Sequence, residues 1–63
     1  MTPQFVFELK IVHRASGAVI VDNLYLYWSD ARAAMKETLA DWQKVSPEYA
    51  RDLEGRVTER ILF

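Results

Sequence analysis

The sequence predicts a small α+β domain: a three-stranded antiparallel sheet in the order 2-1-3, one main amphipathic helix on one face and a short second helix, in the chain order ββα(α)β. Three observations predict it. Residues 4–14 and 56–63 alternate with period two, a glycine-containing turn joins the first run to a second β-rich run, and residues 30–44 repeat their apolar positions every three or four residues. Sixty-three residues leave room for one hydrophobic core, so residues 1–63 read as a single small domain.

The first strand runs from Gln4 to Arg14. Phe5, Phe7, Leu9 and Ile11 fall on one side, and Gln4, Glu8, Lys10 and Arg14 on the other with Val6 and Val12. Ser16-Gly17 supplies a residue tolerant of positive φ, and a second strand follows from Val19 to Trp28. A loop centred on Ser16-Gly17 sets Phe5 against Trp28, Phe7 against Leu26 and Leu9 against Leu24. A slip of one residue would turn Tyr25 and Tyr27 inward and those leucines and Trp28 outward, so apolar patterning selects the first register. It also sets Ile11 against Asp22 and His13 against Ile20, so the covered face is expected to fade toward the turn.

Ser29 reads as an N-cap and Asp30 as a first-turn carboxylate that complements the helix dipole. Ala31, Ala34, Met35, Thr38, Leu39 and Trp42 then form one stripe of a helix from Asp30 to Lys44, with Arg32, Lys36, Glu37, Asp41 and Lys44 opposite. Val45-Ser46-Pro47 interrupts it. Ser46 and Pro47 suit the cap and first position of a short helix carrying Tyr49, Ala50 and Leu53, ended by Gly55; an irregular loop is the alternative. Arg56 to Phe63 makes the third strand, which returns beside the first. The expected core is Phe5, Phe7, Leu9, Ile11, Leu24, Leu26, Trp28, Ala31, Met35, Leu39, Trp42, Val57, Ile61 and Phe63.

Composition is globular, with 51% hydrophobic, 13% aromatic and 27% charged residues. The absence of cysteine removes disulfides, thiolate metal sites and a cysteine nucleophile together. Eight basic against nine acidic side chains give a net charge of −1, which supplies no bulk attraction to nucleic acid or anionic membrane. Met1-Thr2-Pro3-Gln4 has neither the basic nor the apolar region of a secretory signal, and uncharged stretches such as Ala15 to Val21 fall far short of the roughly twenty residues of a membrane span. A cytoplasmic protein without membrane contact is expected.

Chemistry-bearing residues are sparse. His13 is the one histidine; in the expected register Asp22 is its diagonal neighbour, and two ligands do not make a metal site. Ser16, Ser29 and Ser46 read as turn and cap residues, and Glu8-Leu9-Lys10 has the carboxylate and lysine spacing of some nuclease strands without a second placed acid. Gly17 and Gly55 lie too far apart for a phosphate-cradling loop. No catalytic activity, cofactor or metal is expected.

A single helical layer leaves the outer sheet face open. That face is expected to carry Val6, Val12, Val19, Val21, Tyr25, Tyr27 and Leu62 among Glu8, Lys10, Arg14, Thr58 and Arg60. Four valines and two tyrosines make an apolar patch of the kind that marks contact sites, although such residues are also good strand formers. Val6, Val12, Val19, Val21, Tyr25, Tyr27 and Arg60 are therefore the expected partner-binding residues. The alternative is a single-stranded nucleic-acid binder that stacks bases on Tyr25 and Tyr27 beside Lys10, Arg14 and Arg60. Glu8 facing Tyr25 and the negative total charge oppose it.

The order strand, strand, helix, strand in so short a chain is similar to that of small phage proteins that bind and inhibit a host enzyme, including the phage inhibitor of bacterial RNA polymerase. The likeness is one of architecture, with no motif matched residue by residue. It implies a cysteine-free, non-catalytic binder. The expected function is a protein–protein interaction module, either a small regulator or inhibitor of a larger protein or a homodimer, acting through the exposed sheet face and edge.

Overall fold

The structure, a computed structural model, describes residues 4–62. In chain order the elements are β1 (Phe5–His13), β2 (Ala18–Tyr25), α1 (Trp28–Val45), α2 (Pro47–Arg51) and β3 (Leu53–Ile61). The strands form one antiparallel sheet in the order β2-β1-β3, with α1 across one face and α2 as the short second helix. The α+β architecture and the strand order are those the sequence predicts.

The hairpin register is not. Residues 14–17 make the turn, Gly17 takes a positive φ of 77°, and its N–H donates to the His13 carbonyl at 2.7 Å. His13 pairs with Ala18 and Val12 with Val19, which keeps the expected parity, odd positions facing even ones. Between Val12 and Ile11 the pairing steps by one residue and leaves Ile20 without a partner, as in a β-bulge. From there on Ile11 faces Val21, Leu9 faces Asn23, Glu8 faces Leu24 and Phe7 faces Tyr25. One inserted residue has exchanged the two faces of the rest of β2. The expected pairs of Phe7 with Leu26 and Leu9 with Leu24 do not form, and the slipped register that patterning disfavoured is adopted.

Gly55 identifies the covered face. A Cβ built on it would lie 2.7 Å from the Met35 Sδ and 3.6 Å from Leu39 Cδ1, so α1 passes directly over this point of β3. Gly55 faces Ile11, and residues directly opposite share a face. The inner face is thus Phe5, Phe7, Leu9, Ile11 and His13 of β1, with Leu53, Gly55, Val57, Glu59 and Ile61 of β3 and Val21, Asn23 and Tyr25 of β2. Gly55 ends no helix: Asp52 caps α2, and β3 begins at Leu53, three residues before the expected start. A side-chain-free residue here lets the helix approach the sheet.

The main helix begins earlier than expected. Tyr27 is its N-cap without a side-chain cap hydrogen bond, and Ser29 lies inside the first turn beside Asp30. The short helix conforms: the Ser46 Oγ accepts from the Tyr49 N–H at 3.4 Å and Pro47 opens α2. Its placement reverses one expectation. His13 stacks on Tyr49 at the turn end of the sheet, with ring centroids 4.2 Å apart and planes 3° apart, and Tyr49 in turn meets Trp42 at 4.8 Å. Cover is therefore present at the turn end. It fails at the opposite end, where β1 starts and β2 and β3 finish.

Leu9, Ile11 and Ala31 are fully buried, and Val6 nearly so although it lies on the outer face. Phe7, Met35, Leu39, Trp42 and Val57 are half-buried. Five expected core residues, Phe5, Leu24, Leu26, Trp28 and Ile61, are exposed instead. All five lie at the uncovered end: the reversal in β2 turns Leu24 outward, and Leu26 and Trp28 lie beyond the strand, where the chain leaves for α1. Phe63 lies outside the described residues. No helix among those described is long and apolar enough to cross a membrane.

Candidate functional site

The expected partner-binding residues divide three ways. Val6, Val12, Val19 and Arg60 do lie on the outer face. Val21 and Tyr25 face Ile11 and Phe7 on the helix side, turned there by the bulge. Tyr27 has left the sheet to cap α1 and is 66% exposed. The two tyrosines accordingly do not form an open stacking platform with Lys10 and Arg60, which removes the geometry on which base stacking was expected.

Leu24 takes their place on the outer face, among charges. Across the sheet, Arg56, Lys10 and Asp22 make one row and Thr58, Glu8 and Leu24 the next. Arg60 spans rows to donate from Nη2 to Glu8 Oε1 at 2.8 Å and from Nε at 3.3 Å. The hydrogen bonds from Arg60, then its charge, hold the Glu8 carboxyl below the usual glutamate range, and the same pairing raises Arg60. The outer face thus mixes charge with apolar surface: the Arg60–Glu8 pair and Lys10, Asp22, Glu54 and Arg56 lie among Val12, Val19 and Leu24. A shallow depression there is lined by Lys10, Val12, Glu54 and Arg56, and an apolar one on α1 by Asp41, Trp42 and Val45.

The apolar surface lies where β2 exits into α1. Leu24 and Leu26 are each 63% exposed, and Tyr27 and Trp28 follow directly. Phe5, Ile61 and Leu62, also exposed, come from the same end of β1 and β3, where the Leu62 N–H donates to the Gln4 carbonyl. Exposed large apolar side chains thus collect at one end of the domain, Leu24 on the outer face and Phe5 and Ile61 on the inner one, and exposed apolar surface of this kind marks association sites. Sequence patterning assigned Leu24, Leu26 and Trp28 to the core and so missed them. The signal available was the unalternating run Ala18 to Val21, a place where a strand can change parity.

The turn end gathers the polar chemistry. His13 Nδ1 and Ser16 Oγ share a hydrogen bond of 2.8 Å, His13 Nε2 lies 3.9 Å from Asp52 Oδ2, and the Asp52 carbonyl accepts from the Arg14 N–H at 2.8 Å. Serine, histidine and aspartate in that order invite comparison with a nucleophilic triad. The histidine–aspartate distance is beyond a hydrogen bond, and Ser16 Oγ also accepts from the Ala18 N–H at 3.3 Å, which is its role in the turn. These contacts fasten the hairpin to the join of α2 and β3. Asp22 faces Lys10 on the outer side, so the His13–Asp22 fragment does not form. Among the described residues no three His, Asp or Glu side chains are grouped to hold a metal.

No protein family, curated protein or solved structure matches the chain.

Proposed function

We propose that this chain is a non-catalytic protein–protein interaction module working in the cytoplasm, a small regulator or inhibitor of the kind phages and mobile elements carry, or a homodimer. The observation that carries this reading is the exposed run Leu24, Leu26, Tyr27 and Trp28 at the exit of β2. Burying large aliphatic and aromatic side chains of this kind is worth about 1.5–3 kcal/mol each, so a surface of four offers an anchor that contacts within the domain leave unused. The contact surface expected on the outer face moves to this end, where Leu24 links it to the β2 edge. To test it, immobilised chain is exposed to extract of its native cells beside a Leu26→Lys/Trp28→Lys variant that keeps the native circular dichroism spectrum. A protein retained by the first and lost by the second supports the reading, and equal retention overturns it.

A further inference from the structure

We propose that the occupant of the β2 edge is a second copy of this chain, paired β2 to β2 about a two-fold axis at Asn23 to give a continuous six-stranded sheet. The proposal deepens the association reading above by naming the partner.

Three independent observations carry it. The first is area. The chain exposes 4758 Å², about 600 Å² more than a compact monomer of its size, against about 800 Å² per partner in a standard interface. Its radius of gyration of 13.1 Å exceeds the roughly 11 Å expected for this length. The chain is elongated, with a surplus close to one partner's share of a dimer contact.

The second is the contrast between the two sheet edges. β3 carries Glu54, Arg56, Glu59 and Arg60, and charged side chains blunt an edge against pairing. β2 carries one charge, Asp22. Its exposed apolar residues continue past the strand end, and α1 packs mainly over β1 and β3, leaving the β2 margin the least covered part of the inner face.

The third is register. The bulge at Ile20 bends the edge and bounds regular pairing to residues 21–25. An isologous contact needs antiparallel strands with opposed residues on the same face, so opposed positions must have an even sum. Pairing about Asn23 uses all five residues and sets Val21 against Tyr25 of the other copy twice. Pairing about Asp22 would oppose two carboxylates, and pairing about Leu24 keeps three residues in register.

The chain has no cysteine, so one can be introduced without competition. Residues at the two-fold of an antiparallel pair have Cα atoms about 4.5–5.5 Å apart, inside the range a disulfide spans. Asn23→Cys should oxidise mostly to a covalent dimer of doubled mass, whereas Thr58→Cys, folded to the same degree and placed on β3, should remain mostly monomeric. Equal crosslinking of the two, or none of Asn23→Cys, overturns the proposal. Sedimentation of the unaltered chain, independent of how either variant folds, should give a dimer at high micromolar concentration; a strict monomer there also overturns it. If crosslinking fails while the Leu26→Lys/Trp28→Lys variant still loses its captured protein, the second copy is wrong and the association reading stands.

Discussion

His13 and Tyr49 lie ring over ring, and this contact joins the hairpin turn to the helical layer. Trp42 completes the stack, so the short helix α2 is held by aromatic faces more than by its own five residues. Tyr49→Ala should lower the unfolding free energy by about 2 kcal/mol, combining a lost aromatic pair with a half-buried ring. Urea denaturation followed by circular dichroism measures it. A loss under half that size would mean that α2 docks without the stack.

The Glu8–Arg60 pair sets a pH dependence. Arg60 keeps Glu8 ionised in the folded chain at pH values where the unfolded chain would protonate it. The stabilisation is therefore complete above the ordinary glutamate value and disappears as pH falls through the lowered folded value. Glu8→Gln should flatten the acid limb of a plot of urea midpoint against pH while leaving its neutral limb parallel to that of the parent. An acid limb as steep as the parent's would assign that limb to other carboxylates.

At Gly55 the side chains of α1 sit where a Cβ would lie, with Met35 Sδ 2.7 Å from that position. Gly55→Val should cost about 2 kcal/mol, because the new side chain enters space held by Met35 and Leu39. In a Met35→Ala background the cost should fall, since the nearest contact has been removed, and a double-mutant cycle reads the difference. Additive effects would show that the helix shifts as a body instead of Met35 giving way.

Leu24 and Leu26 stand outside the core. At low protein concentration Leu24→Lys and Leu26→Lys should each change the unfolding free energy by no more than about 0.5 kcal/mol, a surface value unusual for leucine. At high concentration both should lower the apparent midpoint relative to the parent, because association no longer adds to stability. Losses of the size expected for core leucines at every concentration would return these residues to the interior.

Much of the fold is legible in the sequence because local signals and global packing agree. Period two marks β1, a three-and-four stripe marks α1, and Ser46-Pro47 marks α2, each through a mechanism that depends on near neighbours. β2 is different. Its register depends on one unpaired residue, Ile20, within a run where alternation gives no guidance, and every assignment beyond that point inverts with it. The candidate site was hidden for the same reason: Leu24, Leu26 and Trp28 have the residue types and spacing of an interior face. Gly55 was misread because a glycine after a short helix and a glycine beneath a crossing helix look alike in sequence, and only the distance to Met35 separates them.

The uneven distribution of charge between the sheet's two margins has a consequence for how far assembly can proceed. An addition at β2 leaves each copy presenting its β3 side, with Glu54, Arg56, Glu59 and Arg60, to the outside. Under the β2 pairing proposed above, growth by strand addition would terminate after one step and give a discrete particle instead of a filament.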